Sequence, residues 1–314
     1  MKSKNYQTIL ALKIVFYFFT LLITDVVFAS PKVVTFILPV QSLASGVMAG
    51  IGKPELAIGG GGSPHHHTLR PSEAKKIYEA DLLVWVGPTL ESFLVKVINN
   101  KDLKAKILTI TEIKEVDWIR TVDDHGEVHG SVNTNLSGEP EINPHFWLDP
   151  QISQIFVTKL AEVLSNIDPV NSTHYSLNAK NLNKKLNELE ANLRKNFIAI
   201  KNIPYISFHD AYTYLERRFE LAGQGSVTFS AERMPGIRKV VELRKKIKDN
   251  NVVCVFNEPQ FESSLVKTLI EGTPVRSGML DPIGNAGTDG PEAYFEMMDG
   301  IENGLKKCLL NLSR

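Results

Sequence analysis

At 314 residues the chain is long enough for two domains that each bury a core. Its 43% hydrophobic and 22% charged residues are the balance of a soluble globular protein. Lysine plus arginine equals aspartate plus glutamate at 35 each, which removes the electrostatic case for nucleic acid or anionic membrane and points to a small or neutral ligand.

The opening residues carry Lys2, Lys4 and Lys13, an apolar run from Ile14 to Thr24, and Val27-Phe28-Ala29 before Ser30. This order reads as a secretory signal at 1–29 cleaved after Ala29. The apolar run is well short of the roughly 20 residues a membrane-spanning anchor needs. Cleavage removes three basic residues and one acidic one, leaving 32 against 34 in an exported, faintly acidic, soluble chain.

From residue 30 to 168, the strand-like runs VVTFILP, DLLVWVG and AKILTIT alternate with helical stretches such as Ser72 to Glu79. That is the βαβ rhythm of an α/β lobe with a parallel sheet. Between the first two runs stands GGSPHHHTLRPS, with a short strand Glu55 to Ile58 before it. Neighbouring side chains of an extended segment point to opposite faces, so at most one or two of His65, His66 and His67 can share a metal ion. The glycines before them are not a phosphate loop, because no Gly-Lys-Ser/Thr follows. Residues 121–143, rich in glycine, asparagine and acids, are expected to form a long mobile loop containing His125 and His129.

A linking helix is expected within 169–202, where Ala179, Leu182, Leu186, Leu189, Leu193 and Phe197 make one apolar stripe. Ser172 is its expected N-cap, Pro204 its stop, and His174 a solvated position on it. A helix of this length acts as a stiff strut. The rhythm then returns over 203–314 with YISFHD, VVCVFNEP and RSGMLDP, giving a second α/β lobe. The two cysteines, Cys254 and Cys308, form an even count in an exported chain, which favours one disulfide from the VVCVF strand to the C-terminal helix over two buried thiols.

In doubly wound sheets ligands bind beyond the carboxyl ends of strands. His209, Glu258 and Asp281 all follow strand-like runs, His65 follows the glycine loop, and His145 precedes the apolar Phe146-Trp147. Three imidazoles with an optional carboxylate suit tetrahedral Zn²⁺. The residues alone leave open an exported zinc hydrolase, with Glu258 or Asp281 as its base, although no His-Glu-x-x-His string is present.

The strings SPHHHTLRPSEAKKIYEADLLVWVGPTLE, NPHFWLDP, SFHDAYTYLERRF, CVFNEPQF and MLDPIG resemble the ZnuA-type zinc-binding family, the solute-binding proteins of bacterial ABC importers, from about residue 33 to the end. The resemblance implies two Rossmann-like lobes with parallel sheets, joined by one long rigid helix, with the metal in the interlobe cleft. It implies zinc ligation by His65, His145 and His209, with Asp281 or water in fourth place, and it favours zinc over manganese because the third position is His209. His66 and His67 leave room for an alternative rotamer or a second ion. The implied protein is a periplasmic monomer that carries Zn²⁺ as transported ligand to an inner-membrane permease driven by a separate ATPase subunit. It has no enzymatic reaction and no nucleic-acid partner; a metal-binding adhesin is the other alternative.

Overall fold

The computed structural model describes residues 30–59, 62–121, 141–228, 235–261, 264–284 and 289–312. The signal expected at 1–29, together with His125 and His129, lies outside the described residues.

Among the described residues, eight strands form two parallel four-stranded sheets of identical topology. The first holds β1 (Val33–Thr35), β2 (Glu55–Leu56), β3 (Leu82–Trp85) and β4 (Lys106–Thr109) in the order β2-β1-β3-β4. The second holds β5 (Tyr205–His209), β6 (Gly223–Thr228), β7 (Cys254–Asn257) and β8 (Arg276–Met279) in the order β6-β5-β7-β8. The alternation of side chains along each strand sorts residues between layers. Val33, Leu82 and Val84 face an inner core, and Val34, Leu83 and Trp85 face an outer one. Likewise Tyr205, Cys254 and Phe256 face inward while Ile206, Phe208 and Val255 face the second lobe's own outer core.

The inner core is shared by both lobes. Its spine is the linking helix Ser172–Phe197, 26 residues, whose buried face consists of Tyr175, Ala179, Leu182, Leu186, Leu189, Leu193 and Phe197. The helix begins differently from the expectation. Asn171 is the cap residue and makes no side-chain capping bond, Ser172 is the first helical residue, and the 3-10 turn Pro169–Asn171 leads in. Asp168 accepts from Asn171 Nδ2 and Tyr175 Oη, so the polar anchoring lies upstream of the serine. The helix stops at Phe197, ahead of Pro204. His174 is exposed.

The chain after β1 turns into the helix Leu38–Val47, which is buried almost throughout. The C-terminal helix Ala293–Leu309 returns from the second lobe to pack on that first-lobe helix. Ser42 Oγ donates to Gly290 O at 2.7 Å and accepts from Tyr294 N at 2.9 Å. Cys308 on the C-terminal helix is bonded to Cys254 on β7, as the cysteine count led us to expect. Gly278 on β8 permits this approach, since a Cβ there would lie 2.5 Å from Phe256 and 3.0 Å from the Cβ of Cys308.

Candidate metal centre

His209 is the last residue of β5, and Glu258 follows the end of β7, the strand beside it. At this point the chain has wound outward on both sides of β5, so the crevice beyond these strand ends is where a doubly wound sheet receives its ligand. His65 comes from the turn after β2, with Pro64 buried and its own amide donating to Ser63 Oγ at 3.3 Å. His145 stands just before the 3-10 turn Phe146–Leu148, whose three side chains are buried.

The three imidazoles meet. Nε2 of His145 is 3.1 Å from Nε2 of His209 and 3.4 Å from Nε2 of His65, and one ring nitrogen from each residue lies within 4.8 Å of the others. Zn–N bonds of about 2.0–2.1 Å in a tetrahedron set nitrogens about 3.3–3.4 Å apart. The two edges at His145, 3.1 and 3.4 Å, lie close to that figure.

The opposite ring nitrogens fix the tautomers. His209 Nδ1 is 2.7 Å from the carboxylate of Glu258, a group buried to 1% exposure that can only accept when ionised. His145 Nδ1 is 2.9 Å from Oδ1 of Asn143, which also takes the His145 amide at 3.1 Å while Asn143 Nδ2 donates to Asp210 O. Nδ1 is therefore the N–H in both rings, and each Nε2 presents a lone pair to the shared point. Burial, and then the neighbouring His209 and His65 rings, hold His145 well below the ordinary imidazole pKa, so it stays neutral and ready to ligate. Phe261, Pro282 and Ile283 help wall the partly open cavity in which the three rings stand, whose innermost ≈ 10 Å³ is room for about one water or one bare ion.

Asp281 is not brought into this group. Its Oδ1 accepts from Gln260 Nε2 at 2.8 Å and from the amides of Ile283 and Gly284 at 3.2 and 3.0 Å, the geometry of a turn after β8. His66 is exposed, and His67 turns away to Glu73, 2.7 Å from its carboxylate. Burial alone would raise the Glu73 pKa, but the Arg70 amide and His67 outweigh it and hold the carboxyl below its usual value.

Of the segment 121–143 expected to be a mobile loop, residues 122–140 lie outside the described residues. At its trailing edge Asn143 is buried at 1% exposure, and the flanks are joined by the antiparallel bridge Arg120–Ile142 and by Thr121 N donating to Glu141 O at 2.8 Å. The 143–149 segment is bolted to the second lobe along its length. Tyr214 Oη donates to Asn143 O, Trp147 Nε1 donates to Pro282 O at 2.6 Å, and Arg218 pairs with the buried Asp149 at 2.8 Å. His145 and His209 are thereby set relative to each other across the lobes.

The family model described as "Zinc-uptake complex component A periplasmic" (ZnuA) matches residues 33–308. A high-affinity zinc uptake system protein ZnuA of Brucella abortus (strain 2308) is 37% identical over 304 residues, covering 88% of this chain and 91% of the relative. Its counterpart from Yersinia pestis is 30% identical over 293 residues, covering 90% and 92%. Among solved structures, a Zn(II)-bound mutant variant of AdcAII from Streptococcus pneumoniae superposes with a TM-score of 0.74 at 26% identity, covering 88% of this chain and 99% of that one. Match length, identity and fold agree: this chain belongs to the ZnuA family of zinc-uptake components.

Proposed function

We propose that the protein captures Zn²⁺ for an ABC importer, holding one ion on His65, His145 and His209, with a water completing the tetrahedron because Asp281 Oδ1 is engaged on Gln260 and two amides. It is exported to the periplasm by a signal at 1–29 and acts there as a monomer. It delivers the ion to an inner-membrane permease whose ATPase subunit supplies the work. The observation that carries this reading is the convergence of three ring nitrogens, with the two separations from His145 near tetrahedral edge length and an acceptor at Nδ1 of both His145 and His209. Zinc uptake in the names of the relatives supports the choice of metal.

The hydrolase alternative asks Glu258 to face a metal-bound water. Its carboxylate is instead engaged on Nδ1 of His209, across the ring from Nε2, which supports capture over catalysis. Native mass spectrometry of protein taken directly from the periplasm tests the proposal: one zinc per chain is expected. A chain carrying no metal, or a different metal at full stoichiometry under zinc-replete growth, refutes it.

A further inference from the structure

Resting on the zinc-capture reading, we propose that His67 is a positioning residue for His65: through its bond to Glu73 it fastens the turn that carries His65 to the first turn of the next helix. His67 Nε2 lies 2.7 Å from Glu73 Oε2, and the same oxygen accepts the Arg70 amide at 2.8 Å. Glu73 sits in the first turn of the helix Pro71–Tyr78, with its side chain 7% exposed. The His67 ring meets the edge of Phe93, centroids 5.3 Å apart, and Phe93 packs on the outer core of the first lobe. These contacts give His67 two fixed partners belonging to two different elements.

The need for such a fastening follows from where the ligands stand. The backbones of His145 and His209 lie in the bolted 143–149 segment and in β5. His65 rises from a turn that is neither strand nor helix. Pro64 is buried on one side of it, and His67 is anchored two residues beyond on the other. A residue adds at most about 3.3–3.6 Å of reach, so two anchors this close leave the His65 backbone little freedom to swing away from the ion. The histidine run therefore divides its labour: one residue to bind, one exposed, one to hold.

His67→Phe keeps a ring against Phe93 and removes the donor, and His67→Gln restores a donor nitrogen. His66→Ala is the control. Zinc affinity is measured by chelator competition, the imidazole count by X-ray absorption at the zinc edge, and the stability of the metal-free protein by thermal melting, all on the full mature chain. His67→Phe is expected to weaken binding by about 10- to 100-fold and to show fewer imidazoles than wild type. His67→Gln and His66→Ala are expected to stay close to wild type in both. Wild-type affinity with an undiminished imidazole count in His67→Phe overturns the proposal. So does a loss of affinity that keeps all three imidazoles and tracks a lowered melting temperature, the signature of a merely structural residue. A fourth imidazole in wild type would make His67 itself a ligand and also overturn it. If wild type shows no imidazole-bound zinc, or His65→Ala binds as wild type does, it is the capture reading that fails.

Discussion

Replacing Glu258 tests whether the buried carboxylate behind His209 contributes to metal affinity through the ring. In wild type the carboxylate lies 2.7 Å from Nδ1, and both residues are buried. It holds the imidazole in the tautomer that presents Nε2, and it places a negative charge one ring away from the incoming cation. Glu258→Gln can turn its carbonyl oxygen to Nδ1, keeping a neutral hydrogen bond of roughly half the strength and losing the charge. Glu258→Leu loses both and strands a buried N–H, at a cost of about 1–3 kcal/mol. We expect zinc affinity to fall about tenfold in the glutamine variant and about a hundredfold in the leucine variant, or roughly 1.4 and 2.7 kcal/mol. Competition against a zinc chelator at pH 7.5 measures this, with circular dichroism confirming the fold. A leucine variant within about twofold of wild type, or one that binds better than the glutamine variant, would show that the ring needs no partner and refute the argument.

Alanine at His65, His145 or His209 should weaken zinc binding far more than alanine at His66, and equal losses at all four in titrations would sink the assignment. The depressed His145 pKa means that the unfolded chain takes up the proton first. Metal-free stability should therefore decline as pH falls through about 6.5, and zinc affinity should decline with it as protons compete for Nε2; melts and titrations that stay flat from pH 7.5 to 5.5 contradict this. Burial raises buried Glu91 from 4.5 to about 8 despite the bonds it accepts from the Gly87 and Val86 amides. The folded state thus holds that proton between those values, and stability present below 4.5 is lost as pH rises toward 8, at roughly 1.4 kcal/mol per pH unit at most. Glu91→Gln should flatten that slope in denaturant titrations at pH 5 and 8, and an unchanged slope argues against a protonated Glu91. Reducing the Cys254–Cys308 bond, which spans 54 positions, should cost roughly 2–4 kcal/mol, and an unaltered melting temperature under reductant would contradict that.

The sequence announces its strands wherever β-branched runs are bounded by turns, as in Leu82–Trp85 and Tyr205–His209. It conceals two elements for physical reasons. The helix Leu38–Val47 is buried nearly all round and so shows no amphipathic period, and its first residues were absorbed into the apolar run of β1. The strand Gly223–Thr228 opens with two glycines in its first three residues and shifts register against β5, so neither composition nor alternation marks it. In the site, the histidines stand out because each ends a strand or opens a turn. Glu258 is visible at a strand end, where the residues alone offer it only as a base for the hydrolase alternative; its pairing with His209 follows from β5 and β7 being neighbours. Asn143 was hidden at the trailing edge of a polar segment, where only the Asn-Pro-His spacing hints that its side chain folds back to the ring.

The return of the helix Ala293–Leu309 to the first lobe sets an order of events. Tyr294, Met297 and Ile301 belong to the same apolar core as Val40, Leu43 and Val47, so residues of the first lobe wait for residues of the last helix. Hydrogen bonds between Ser42 and the Gly290 and Tyr294 backbone span about 250 positions and can form only after everything between them has been delivered. If the chain is exported unfolded, as the proposed signal would require, this wiring keeps the leading lobe from completing its shared core before the last helix has crossed. The cystine at Cys308 then closes on that last helix, fixing the completed fold only in a compartment that oxidises thiols.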